Sequence, residues 1–110
     1  MSKWNIELYA GVDEELESLP AKIQARMVWL FDMMADYGAN LGEPHTKAMG
    51  SGLFEIRAKS KEGIGRGLFC YLQGTNIVVL HVFVKKSMKT PKHDLDLARN
   101  RMKEAKKHVL

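Results

Sequence analysis

Two rhythms of apolar and polar residues divide the chain. In "PAKIQARMVWLFDMMADYG" (20–38), Ile23, Met27, Leu30, Phe31 and Met34 recur at helical spacing and share one face. Pro20 suits the first turn of that helix and Gly38 its C-terminal stop. Upstream, "GVDEELESLP" sets Val12, Leu16 and Leu19 on one stripe of a short acidic helix, which Pro20 ends. The other rhythm has a period of two. "WNIELYA" (4–10) alternates Trp4, Ile6 and Leu8 with Asn5, Glu7 and Tyr9, as a first strand would. These methionines and aromatics are read as core.

Residues 38–52, rich in glycine, read as the one long loop. Three strands are expected beyond it. In "LFEIRAK" (53–59), Phe54, Ile56 and Ala58 point one way and Glu55, Arg57 and Lys59 the other. "GIGRGLFCYLQG" (63–74) is apolar on both faces, as a central strand is, although Gly67 weakens it. A tight turn around Gly74, Thr75 and Asn76 leads into "NIVVLHVFVKK" (76–86). There Val78, Leu80, Val82 and Val84 form an aliphatic face, opposite Ile77, Val79, His81, Phe83 and Lys85. "TPKHDLDLARNRMKEAKKH" (90–108) then opens on a Thr90 cap with Pro91 in the first position, and carries a thin stripe of Leu95, Ala98, Met102 and Ala105. The order β-α-α-β-β-β-α predicts a single α+β domain over residues 1–110. Its small, mainly antiparallel sheet has the two N-terminal helices on one face, and Arg57, Lys59, His81, Phe83 and Lys85 on an uncovered opposite face.

Charge sharpens this picture. The chain of 110 residues carries a net +4, but residues 1–55 hold four basic against nine acidic residues, and residues 56–110 thirteen against four. The second half therefore has the balance of a polyanion-binding surface. A single cysteine, Cys70, makes no internal disulfide and fits a small core residue. The four histidines show no metal-ligand spacing, so neither metal nor cofactor is expected. The glycines of 63–67 lie in a hairpin strand, not ahead of a helix, and are not read as a phosphate loop. No apolar run approaches the roughly 18 residues of a membrane span, and no secretory leader pattern opens the chain; a cytoplasmic protein without membrane contact is the expectation.

The remaining chemistry is cationic. Arg57, Lys59, Arg66 and Lys85 fall on alternate positions of neighbouring strands, with Lys86 and Lys89 at the exit of the last one. Like charges side by side cost stability unless an anion fills the face. Around a single phosphate, such groups stabilise a pentacovalent phosphorane, and a lysine among cations can act as base. Phe83 could stack on a nucleobase. His81 could move a proton, although a lone strand histidine is more often structural.

The stretches "LGEPHTKAMGSGLFEIR" (41–57) and "LHVFVKKSMKTP" (80–91), with Arg66 between them and a short basic helix after, resemble the HigB branch of the RelE-like toxins. The resemblance spans about residues 4–106. It implies the toxin of a type II toxin–antitoxin system: a ribosome-dependent mRNA endonuclease that needs no metal and uses the RNA 2′-hydroxyl as nucleophile. By position, Arg57 and Arg66 would hold the scissile phosphate. Lys85 and Lys86 match the family's basic pair, and Lys89 and Lys59 would add phosphate contacts. Lys85 is the candidate base, with His81 or Lys59 as helper. Implied partners are a cognate helix-turn-helix antitoxin, the ribosome with its mRNA, and operator DNA bound by the toxin–antitoxin complex. Two departures stand out. Gly65 and Gly67 flank Arg66 where relatives carry bulky residues, and the last helix lacks an aromatic, which leaves stacking to Phe83. The alternatives are a non-catalytic RNA- or DNA-binding phage or plasmid protein, and an inactive toxin relic acting through its antitoxin. Sugar discrimination separates an enzyme that uses the 2′-hydroxyl from a charge-driven binder.

Overall fold

A computed structural model describes residues 3–38, 41–42, 45–85 and 90–108, with Lys85 described in its backbone only. The elements run β1 (Asn5–Leu8), α1 (Val12–Glu17), α2 (Ala21–Tyr37), β2 (Thr46–Gly50), β3 (Leu53–Ser60), β4 (Gly63–Tyr71), β5 (Asn76–Lys85) and α3 (Lys92–Lys107). They form one five-stranded sheet in the order β1-β5-β4-β3-β2. β1 pairs with β5 in parallel, and every other pairing is antiparallel. This is the expected α+β architecture, with one strand more than the sequence suggested. β2 lies inside the stretch read as loop. The chain reverses through Gly50, Ser51 and Gly52, all at positive φ, which sends β3 back along β2.

The helical periodicity is realised in full on α2: Ile23, Met27, Leu30, Phe31 and Met34 are all buried. They pack with Val12 and Leu19 against Ile56, Ala58, Phe69, Ile77, Val79 and Val82. Gly65 and Gly67 face this helix. A Cβ at Gly65 would collide with Ile23 Cγ2, and one at Gly67 would sit 3.0 Å from Ile56 Cγ2. The two glycines therefore let helix and sheet approach closely, and alternation turns Arg66 to the opposite face. Gly38, at φ 88°, ends α2 and lets the Trp4 ring lie against it.

Two sequence expectations fail on the opposite face. First, that face is not open: α3 covers part of it, and Ala98 and Met102 bury Leu53, Leu68, Cys70, Val78 and Leu80. Second, β5 does not keep one parity. The β4–β5 register slips between Leu68↔His81 and Phe69↔Val79, a bulge that places an extra residue, Leu80, in β5. Beyond it the alternation inverts. Val78 and Leu80 lie under α3, whereas Val82 and Val84 join Ile77 and Val79 under α1 and α2. Period-two reading has no means of anticipating an inserted residue.

Candidate active site

Strand register brings the predicted arginines together. Arg57 on β3 stands directly opposite Arg66 on β4, and Arg66 opposite Phe83 on β5. The next row toward the sheet's interior is Lys47, Glu55, Leu68 and His81; the next row outward is Lys59, Ile64 and Lys85. Lys59 is exposed. Lys86 and Lys89 lie outside the described residues.

Glu55 is the group the sequence reading overlooked. Its side chain is fully buried, and it accepts hydrogen bonds from Arg66 Nη1 and, at 3.1 Å, from Arg57 Nε. Its second oxygen takes the hydroxyl of Thr90 at 2.6 Å. Thr90 therefore does not cap α3, as its position had suggested; it ties the start of that helix to the sheet. Burial pushes the Glu55 carboxyl up, but hydrogen bonds from Arg66, Thr90 and Arg57 more than offset this and hold it below the ordinary 4.5. Two guanidiniums thus share one carboxylate, leaving a net positive charge in the row. Arg66 is 6% exposed, and its Nε–H finds no hydrogen-bond partner among the described residues. Arg57 is the more accessible, with its side chain 23% exposed. Beside them opens a cavity of about 250 Å³ lined by Lys47, Met49, Glu55, Arg57, Arg66, Thr90 and Leu95. Its polar lining is two arginines and a lysine around a single carboxylate and a hydroxyl, which suits a phosphodiester.

His81 sits apart from that cavity. Its ring is buried, with Nδ1 2.8 Å from Glu15 Oε1 and Nε2 2.6 Å from Asp94 Oδ1. It also stacks on Phe83, with ring centroids 5.0 Å apart. Arg101 donates to Glu15 Oε2 at 2.9 Å and to the Leu80 carbonyl at 2.8 Å. Desolvation raises the Glu15 carboxyl, but hydrogen bonds from His81, the Val82 N–H and Arg101 bring it below the ordinary range.

The sequence profile of the phage derived protein Gp49-like family matches residues 14–103. The chain belongs to that family. The Gp49-like chain has the fold of RelE toxins. The free mutant toxin RelE of E. coli superposes with a TM-score of 0.68 at 11% identity, over 93% of this chain and 99% of that one. The RelBE2 toxin–antitoxin complex of Mycobacterium tuberculosis gives 0.57 at 21% identity, covering 76% of this chain and 99% of the other. The archaeal RelE–RelB complex of Pyrococcus horikoshii gives 0.57 at 18%, covering 76% and 97%. No curated protein matches the chain in sequence.

Proposed function

We propose that this Gp49-like chain is the toxin of a type II toxin–antitoxin pair and an endoribonuclease that cuts mRNA on the ribosome. One observation carries the reading: Arg57 and Arg66, adjacent across β3 and β4, reach the same 250 Å³ cavity and are held there by one buried carboxylate. A phosphate in that cavity would meet the cationic side chains that line it, Lys47, Arg57 and Arg66. The guanidiniums are in place before substrate arrives, which is the arrangement that stabilises charge developing in a transition state. The likeness to toxin RelE and to RelE proteins in complex with RelB partners supports the assignment and an antitoxin as partner; a helix-turn-helix protein is the proposed class of that antitoxin.

In the proposed reaction the ribose 2′-oxygen attacks the adjacent phosphorus and the bond from phosphorus to the 5′-oxygen breaks. The 2′-hydroxyl proton passes to a base, and a proton is delivered to the departing 5′-oxygen. The products are a 2′,3′-cyclic phosphate and a 5′-hydroxyl. Arg57 and Arg66 hold the phosphorane, and Glu55 anchors both. Lys85 and Lys59, opposite ends of the row flanking the arginines, are the proposed proton-transfer groups. Phe83, next to Arg66 in register, is the proposed stacking surface. Lys86 and Lys89 are proposed as backbone contacts.

The test is expression of the chain alone, with translated mRNAs mapped for new ends. Growth arrest with truncated messages, relieved by Arg57→Ala, is the expected result. Intact messages in cells that accumulate the folded chain would overturn the proposal.

A further inference from the structure

Three elements meet at His81, and none of their contacts belongs to the cavity of Arg57 and Arg66. Glu15 comes from α1, Asp94 and Arg101 from α3, and His81 itself from the bulge in β5. A bulge disrupts the ladder around it and leaves backbone groups in need of other partners. Here side chains supply them: Val82 N–H donates to Glu15 Oε1 at 3.1 Å, and the Leu80 carbonyl accepts from Arg101 Nη1 at 2.8 Å. The bulge also puts His81 on the α3 side of the sheet, where unbroken alternation would have turned it toward α1 and α2. Both ring nitrogens face carboxylate oxygens, which only accept, so a ring with N–H at both positions satisfies the pair.

Two short routes connect this cluster to the cavity. Asp94 lies in the first turn of α3, four residues after Thr90, whose hydroxyl binds the Glu55 carboxylate that anchors both arginines. Along the sheet, the His81 ring stacks on Phe83 at an interplanar angle of 21°, and Phe83 stands opposite Arg66.

We propose that His81 is a positioning residue: by clamping Glu15 and Asp94 at the β5 bulge it fixes the start of α3 and, through Thr90 and Phe83, the arrangement of Glu55, Arg57 and Arg66. The relevance to RNA cleavage rests on the function proposed above; the geometric claim does not. His81 thus touches no reacting atom, and its effect on cleavage passes through the arginine pair.

The experiment is side-chain and backbone NMR on the full chain, following the Nε–H signals of Arg57 and Arg66 and the exchange rates of amides 95–98. These are the first of α3 with helical acceptors, beginning with Leu95 N–H on the Pro91 carbonyl. His81→Phe keeps a ring against Phe83 and removes both contacts with the Glu15 and Asp94 carboxylates. Asp94→Asn, at a less buried position, is the gentler second variant should His81→Phe fail to fold. Ile23→Val, on the buried face of α2, is the control for general loss of packing. The expected result is displaced arginine signals and exchange at 95–98 faster by about tenfold or more in His81→Phe and Asp94→Asn, with neither change in Ile23→Val. Arginine signals and exchange rates as in the unmodified chain, or equal changes in the control, would overturn the positioning role. A parallel cleavage assay should show kcat reduced and KM retained. Lack of cleavage by the unmodified chain would count against the endoribonuclease reading alone, because the spectra judge the clamp without it.

Discussion

Arg66 donates from Nη1 to Glu55 Oε1 with both side chains almost wholly out of solvent. Removing one partner of such a pair strands a buried charge. Glu55→Ala should therefore cost about 3–5 kcal/mol of folding stability. Glu55→Gln, which keeps an acceptor, should cost less. Urea unfolding at neutral pH measures both.

The second arginine separates function from folding. Arg57 meets Glu55 through Nε with its side chain partly exposed, so Arg57→Ala should change stability by about 1 kcal/mol or less. Loss of a preorganised donor to the reacting phosphate should nonetheless slow cleavage by about 100-fold. Arg66→Ala is the poorer test of chemistry, since it also leaves Glu55 without its most buried partner. Thermal unfolding alongside single-turnover cleavage distinguishes the two effects.

Glu55 and Glu15 both titrate below the ordinary 4.5 in the folded chain. A depressed folded-state pKa means that the unfolded chain binds protons first as pH falls. The stabilisation is fully present above 4.5 and drains away as pH drops from there through the folded-state values. Urea midpoints measured from pH 7 down to pH 3 should stay level at first and then fall. The fall should be shallower in Glu55→Gln. A midpoint that rises on acidification would contradict the assignment.

Gly65 should tolerate no side chain. Its added Cβ meets Ile23 Cγ2, so Gly65→Ala should destabilise by about 1–3 kcal/mol. Ile23→Val retains Cγ2 and should give no relief, whereas the alanine at 65 should cost less in an Ile23→Ala background. A double-mutant cycle by urea unfolding reads this coupling.

Much of the fold was legible because it rests on local repeats. The α2 stripe of Ile23, Met27, Leu30, Phe31 and Met34 and the alternation of Glu55 with Arg57 both survive intact. What sequence could not show depends on register between strands. The sequence put Val79 and His81 on one face, but an extra residue in β5 parts them: His81 stays on the arginine side, against Asp94, while Val79 turns to the helices α1 and α2. Thr90 had a cap's position, yet its hydroxyl serves Glu55, a partner 35 residues away. The strand Thr46–Gly50 has little β-branched character and exists because Gly50, Ser51 and Gly52 fold it against β3. Lysines reading as unpaired in sequence gave no hint that the arginines nearby had a buried counter-ion.

The most direct measurement of the central claim is cleavage by purified chain on ribosomes programmed with an all-RNA message and with the same message carrying a single 2′-deoxy nucleotide at the cut position. The account predicts a cut in the first, ending in a 2′,3′-cyclic phosphate, and none at the deoxy position in the second. A message left whole in both, or a deoxy position cut as readily as the ribose one, would contradict it.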